Sequence, residues 1–130
     1  MPSIFTRIVN GEIPAWKVAE NEHCFAFLDI NPLAEGHTLV IPRREVDNLW
    51  DLDPELYAEL MTFTQRVACG LGKVSSAKKI GMVVIGLEVP HAHIHLVPIN
   101  AVNDIDFNKP KLSFSPEEFR AIAERIAAAI

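Results

Sequence analysis

Along the chain, short runs with the two-residue period of strands alternate with two longer runs carrying the 3.6-residue period of helices. Near the start, Ile4, Phe5 and Ile8 fall at one-turn spacing and the run stops at Asn10-Gly11, which predicts a short helix closed by a turn. Trp16 to Glu20 and Cys24 to Leu28 are β-prone stretches separated by polar residues, the pattern of a hairpin. His37 to Ile41 predicts a third strand ended by Pro42 and Arg43-Arg44, Lys79 to Ile85 a fourth, and His91 to Val97 a fifth closed by Pro98. Asp53 followed by Pro54 is a helix start, and Leu56, Leu60, Phe63, Val67 and Leu71 give that helix one apolar face until Gly70 and Gly72 weaken it. Ser115-Pro116-Glu117-Glu118 is a capping box opening a second helix, striped by Phe119, Ile122, Ile126 and Ile130 and expected to pack on the sheet or on a partner subunit. Asn100 to Leu112 shows neither period and reads as irregular. These elements predict an α+β domain over residues 1–130, with a mainly antiparallel five-stranded sheet and two main helices.

With 49% hydrophobic residues, a chain of 130 can bury one real core, and a second domain is not expected. A net charge of −5 and the lack of a Lys/Arg run argue against a nucleic-acid partner, while a small anionic ligand stays open because local donors decide that. No apolar run approaches the roughly 18 to 20 residues that span a bilayer, and no charged leader opens the chain, so a cytoplasmic protein without a membrane partner is expected. Cys24 and Cys69 form no C-x-x-C pair and read as buried or half-buried thiols.

Chemistry enters at His91-Ala92-His93-Ile94-His95, which holds three of the five histidines. On a strand, alternation puts the three imidazoles on one face and Ala92, Ile94 and Leu96 on the other. Three readings compete. A metal site suits histidines two apart, yet residues four apart on a strand lie about 13 Å from each other, whereas imidazole nitrogens bind zinc at roughly 2.0 to 2.1 Å. His37 could add a ligand, but no Cys partner or HExxH pattern joins it. A purely structural reading needs a separate polar partner for each ring, since an unsatisfied buried polar group costs about 1 to 3 kcal/mol. The third reading is nucleophilic attack at phosphorus, which needs one ring nitrogen bare, the other protonated and held by an acceptor, and nearby donors for the phosphoryl oxygens and the leaving atom.

The triad, with Leu96 and Val97 after it, resembles the signature of the histidine triad (HIT) family of nucleotide hydrolases and transferases. The resemblance extends through Ser3 to Val9, Gly11 to Ala15, Ala26 to Pro32 and Gly36 to Arg43, in the order of the family's Hint-like branch, and covers most of residues 3 to 98. It implies a HIT-like fold and a purine nucleoside phosphoramidase-like activity, cleaving a nucleoside monophosphate from an amine or phosphate through a nucleotidyl-histidine intermediate. Dinucleoside polyphosphate hydrolysis, or nucleotide binding with little turnover, are the alternatives. The resemblance implies His93 as nucleophile, His95 on the phosphate and leaving group, His91 orienting His93 through its carbonyl, and His37 completing the polar cluster. It further implies Asp29 on the ribose hydroxyls, with Ile4, Phe5, Ile8, Phe27 and Ile30 lining the base pocket and Glu88 and Val89 beside the nucleotide. No cofactor is implied, and a homodimer is, for which the apolar helix 54–71 is the expected contact.

Departures from the family pattern concern the substrate. Met82 to Pro90 is shorter and more apolar than usual, with Leu87 in place of a Gln and Glu88 in place of a small hydroxyl residue. A carboxylate there repels a phosphate at close range, so Glu88 either turns outward or meets an amine on the leaving group. Arg43-Arg44-Glu45 lacks the histidine that commonly follows the Pro-Lys/Arg step, and Ser3 and Thr6 stand where some relatives carry a zinc-binding Cys pair, so no structural zinc is expected.

Overall fold

The computed structural model describes residues 2–130. Helix α1 (Ile4–Val9) is capped by the Ser3 hydroxyl, which accepts the Thr6 N–H, and leads into a hairpin of β1 (Lys17–Glu20) and β2 (Cys24–Leu28). The Asn21 side chain closes that hairpin by accepting the N–H groups of His23 and Cys24. β3 (Thr38–Pro42), α2 (Pro54–Val74), β4 (Lys79–Val83), β5 (Ile94–Ile99) and α3 (Pro116–Ala129) follow. The sheet runs β1-β2-β3-β5-β4, with every neighbouring pair antiparallel, as the sequence predicts.

Strand alternation divides the sheet into two faces with different tasks. Ala26, Leu28, Val40, Ile94 and Leu96 meet Leu60, Phe63, Val67 and Leu71 of α2 and Phe119, Ile122 and Ile126 of α3, forming the main core. Phe25, Phe27, Leu39 and Ile41 point the other way and gather with Phe5 of α1 in a smaller cluster, whose Phe5 ring meets those of His91 and His93. Among the described residues no helix is long and apolar enough to cross a membrane.

Five sequence expectations change. α2 runs through Gly70 and Gly72 to Val74, because Gly70 is a point of close approach to α3: a Cβ there would lie 2.5 Å from an Ile130 side-chain carbon and 3.3 Å from its backbone. The apolar stripe of α2 lies in the core, so it offers no face to a second copy. β4 ends at Val83 rather than Ile85, since its last partner is His95 and the chain then turns through Gly86 at φ 68°. The fifth strand begins only at Ile94 and passes through Pro98 to Ile99: the His91 N–H turns back onto Val89 O (2.8 Å) and the Ala92 N–H goes to Val46 O (2.7 Å), so His91 to His93 lie before the sheet ladder. Pro98 is accommodated beside β4 alone, because the β3 pairing stops at Leu96. Of the two thiols, Cys24 is buried, which pushes its pKa up to about 11, whereas Cys69 is exposed.

Candidate active site

All three triad rings are buried, together with His37. Although His91 and His93 precede β5, the expected split survives: Ala92, Ile94 and Leu96 enter the main core, and the rings lie on the other side against Phe5. A cleft of about 440 Å³ opens there. Its wall is a row of rings meeting edge to face: Phe5 to His93 at 4.9 Å between centroids, His93 to His95 at 5.1 Å, and His95 to Phe107 at 4.9 Å. His93 and His95 line the cleft, while His91 and His37 stand behind them.

Which nitrogen carries a proton follows from partners that have no choice of role. Pro42 O can only accept, so His91 Nε2, 2.8 Å away, is protonated, and His91 Nδ1 faces the Ser3 hydroxyl at 2.8 Å. His91 O likewise only accepts, so His93 Nδ1, 2.7 Å away, is protonated. The Leu33 N–H only donates, so His37 Nδ1 (3.0 Å) is bare and the neutral ring carries its proton on Nε2. That proton goes to His95 Nδ1 at 3.0 Å, leaving the His95 proton on Nε2. Adjacent rings of the cleft wall therefore hold opposite tautomers: Nε2 is bare on His93 and protonated on His95. Among the described residues neither Nε2 has a protein partner and no buried side-chain nitrogen is orphaned, so both reach the open cleft. A bare nitrogen next to a donor is the pair that attack on a phosphoryl group requires.

The loop before β3 builds the His37 end. Asp29 N–H bonds to His37 O, His37 N–H to Ala34 O, and the turn into β3 passes through Gly36, whose φ of 93° no side chain adopts easily and where a Cβ would meet Leu71 at 2.9 Å. Asp29 has two roles in this loop: Oδ1 accepts the Asn31 N–H at 2.8 Å as a turn cap, and Oδ2 lies 3.6 Å from His37 Nε2 at the edge of the cleft. Asp29, His37 and His95 present one oxygen and two nitrogens within 4.8 Å of one another. A metal would need the His37 Nε2 proton removed while Nδ1 faces an N–H donor, the reverse of the carbonyl or carboxylate that metal-binding histidines use. The donor set therefore fits a proton-fixing chain and not a cation.

Ile4, Phe5, Ile8, Phe27, Ile30 and Val89 all line the same cleft. Phe5 and Phe27 also belong to the smaller core cluster, whereas Ile4 and Ile30 are 48% and 66% exposed, so packing does not account for them. Glu88 lines the cleft as well, exposed and without an ion-pair partner among the described residues. Sequence reasoning missed several cleft residues, Ile13, Leu39 and Ile85 among them. Phe107 and Lys111 are two more; they come from the irregular stretch after β5, and Lys111 Nζ holds that loop through Phe107 O and Lys109 O. The available signal was a lone aromatic in a polar, aperiodic segment.

Burial holds three of these rings below the ordinary imidazole range. His95 is pushed down to about 3 by desolvation, then by His37 and His93; His91 is lowered by desolvation against the opposing pull of Pro42 O; His37 is lowered by desolvation although Asp29 raises it. Unfolded, each titrates near 6.5, so protons bind the unfolded chain first as pH falls, and stability is complete above about 6.5 and lost toward the folded value. At pH 5, His95 alone costs about 2 kcal/mol. The carboxylates with depressed values, Glu20, Glu45 and Asp104, titrate below 4.5 and leave that window to the histidines. Urea unfolding at pH 7.5 and pH 5 is expected to show this loss; equal midpoints would contradict it.

The fold and this histidine wall define a class, and comparison with known proteins names it. A model of the HIT domain matches residues 10–102. The adenosine 5'-monophosphoramidase hnt1 of Schizosaccharomyces pombe is 33% identical over 133 residues, spanning 100% of this chain and 99% of that protein. The adenosine 5'-monophosphoramidase HNT1 of Saccharomyces cerevisiae is 37% identical over 97 residues, 73% of this chain and 61% of that protein. A Hit-like crystal structure from Bartonella henselae superposes with a TM-score of 0.85 at 30% identity, covering 98% of this chain and 96% of that one. The chain belongs to the HIT family. The domain match ends before Phe107 and Lys111, so that side of the cleft lies outside the shared motif.

Proposed function

We propose that the chain is a nucleoside phosphoramidase-like hydrolase releasing a nucleoside monophosphate, with a purine preferred, through a covalent intermediate on His93. The observation that carries this reading is the pairing of opposite tautomers at His93 and His95 on one cleft wall. The His93 Nε2 lone pair attacks phosphorus while Nδ1–H stays on His91 O, which stabilises the positive charge the ring acquires. The bond from phosphorus to the amine breaks with its electron pair remaining on nitrogen, and the amine, protonated from solvent beforehand, departs neutral. Water then attacks phosphorus, the bond to Nε2 breaks, its pair returns to His93, and one proton passes to solvent. His95, held neutral by burial, donates Nε2–H to a phosphoryl oxygen in both steps, a hydrogen-bonding task rather than the gift of a whole proton.

In this reading Asp29 Oδ2, at the edge of the cleft, accepts from the ribose hydroxyls, and the base enters the apolar slot of Ile4, Ile8, Ile30, Phe5 and Phe27. Glu88 favours a leaving group carrying an amine. Two relatives carry the name adenosine 5'-monophosphoramidase, which supports the amide over the anhydride as substrate. The enzyme is further proposed to act as a homodimer, its contact on the open edge of β4, where Met82 is 52% exposed, in place of α2. Adenosine 5'-phosphoramidate and a diadenosine polyphosphate supplied side by side test the substrate: faster release of AMP from the amide is expected. Preference for the polyphosphate, or tight AMP binding without turnover of either, would contradict it.

A further inference from the structure

Behind the cleft, a second polar cluster joins α1 to the triad and is not used by the chemistry just described. His91 is completely buried, yet its ring lies outside the nucleotide cleft, between Ser3 at the start of α1 and Pro42 at the end of β3. Glu45, beyond that strand, reaches the same place: its Oε1 accepts both the Ser3 backbone N–H and the Thr6 hydroxyl, the latter at 2.7 Å.

An obligatory acceptor stands at each end of the cluster, and of the two acceptors within reach of the Ser3 hydroxyl, His91 Nδ1 at 2.8 Å is much nearer than Thr6 Oγ1 at 3.3 Å. The Glu45 carboxylate takes the Thr6 hydroxyl proton, so Thr6 Oγ1, although 3.3 Å from His91 Nδ1, has none left for the ring. Ser3 Oγ accepts the Thr6 N–H at 3.0 Å as the cap of α1, which leaves its own proton for His91 Nδ1 at 2.8 Å. At the far end Pro42 O takes Nε2–H. The ring is thereby locked by two hydrogen bonds into one tautomer.

The lock matters because of where it acts. His91 O is the acceptor for His93 Nδ1–H, and the peptide carrying that oxygen lies before β5, where no strand ladder holds it. Among the described residues, the His91 N–H to Val89 O, the Ala92 N–H to Val46 O, the packing of Ala92 in the core and the anchored ring hold its place. We propose that Ser3 is a positioning residue for the triad: its hydroxyl, donated to His91 Nδ1, keeps that ring as the Nε2–H tautomer fastened to Pro42 and so holds the His91 carbonyl on His93. The effect on turnover rests on the reading of His93 as nucleophile, but the tautomer itself does not.

The test uses full-length protein labelled with 15N in histidine. Two-bond 1H–15N spectra are expected to show His91 as the Nε2–H tautomer in the wild type. Ser3→Ala removes the donor and should shift those signals and lower kcat for adenosine 5'-phosphoramidate about tenfold with KM within about twofold, because a carbonyl displaced by a fraction of an ångström spoils attack geometry more than binding. Ser3→Ala also loses the helix cap, so two further variants separate the roles. Ser3→Thr keeps cap and donor and should restore both readouts. Ser3→Asp keeps the cap but offers an acceptor, so His91 should gain a second proton and kcat should stay low. Unchanged His91 signals in Ser3→Ala and Ser3→Asp, or wild-type kcat in both, would overturn the assignment. A protein with the expected tautomers and the expected shifts in the variants, but no turnover of the amide, would instead overturn the reading of His93 and leave the role of Ser3 standing.

Discussion

Replacing His93 by alanine is expected to lower turnover of adenosine 5'-phosphoramidate by on the order of 10⁴-fold, with the protein still folded. The size of the effect follows from what the substitution removes. His93 holds the bare ring nitrogen facing the cleft, while the Nε2 of its neighbour His95 is protonated and has no lone pair to give. Water replacing the missing imidazole would lack both the lone pair and the Nδ1–H that passes charge to His91 O. The fold should survive because His93 belongs to neither apolar cluster and touches Phe5 and His95 from the cleft side. Rates within tenfold of wild type, measured by AMP release on protein of native circular dichroism, would remove His93 from the chemistry.

The next largest effect is expected at His37, which stands behind the cleft wall rather than lining it. Its Nε2–H defines the His95 tautomer, so His37→Leu leaves His95 free to place its proton on Nδ1 and present a bare Nε2 to the phosphoryl oxygens. Repulsion then replaces a hydrogen bond, and kcat should fall about 10²-fold, the range seen when one donor to a developing oxyanion is lost. The Leu33 N–H loses its partner as well, at a cost of about 1 to 3 kcal/mol in stability. His37→Gln, with an amide able to donate toward His95, should regain most of the rate. A folded His37→Leu protein with wild-type kcat would show that the His95 tautomer is set by something else.

Much of this arrangement was legible in the sequence because it depends on short-range patterns. The alternation of His91, His93 and His95 with Ala92, Ile94 and Leu96 predicts which residues face the core, and that survives even though the strand starts late. Asp53 with Pro54, and Ser115 with Glu118, mark the helices because capping is a local hydrogen-bond requirement. Gly70 misled for the opposite reason: its role is close approach to Ile130, sixty residues away in sequence, and no local signal separates that from a helix end. Tautomers were out of reach, since Pro42 O, His91 O and the Leu33 N–H become neighbours of the rings only on folding. Phe107 escaped because a residue in an aperiodic loop has no partner positions from which its direction could be read.

The stereochemical course at phosphorus tests the central claim most directly. With an adenosine 5'-phosphoramidate made chiral by sulfur and hydrolysed in 18O water, attack by His93 followed by attack of water gives two inversions, so the product thiophosphate should show net retention. Net inversion would mean that water strikes phosphorus in a single displacement and that no bond to His93 forms.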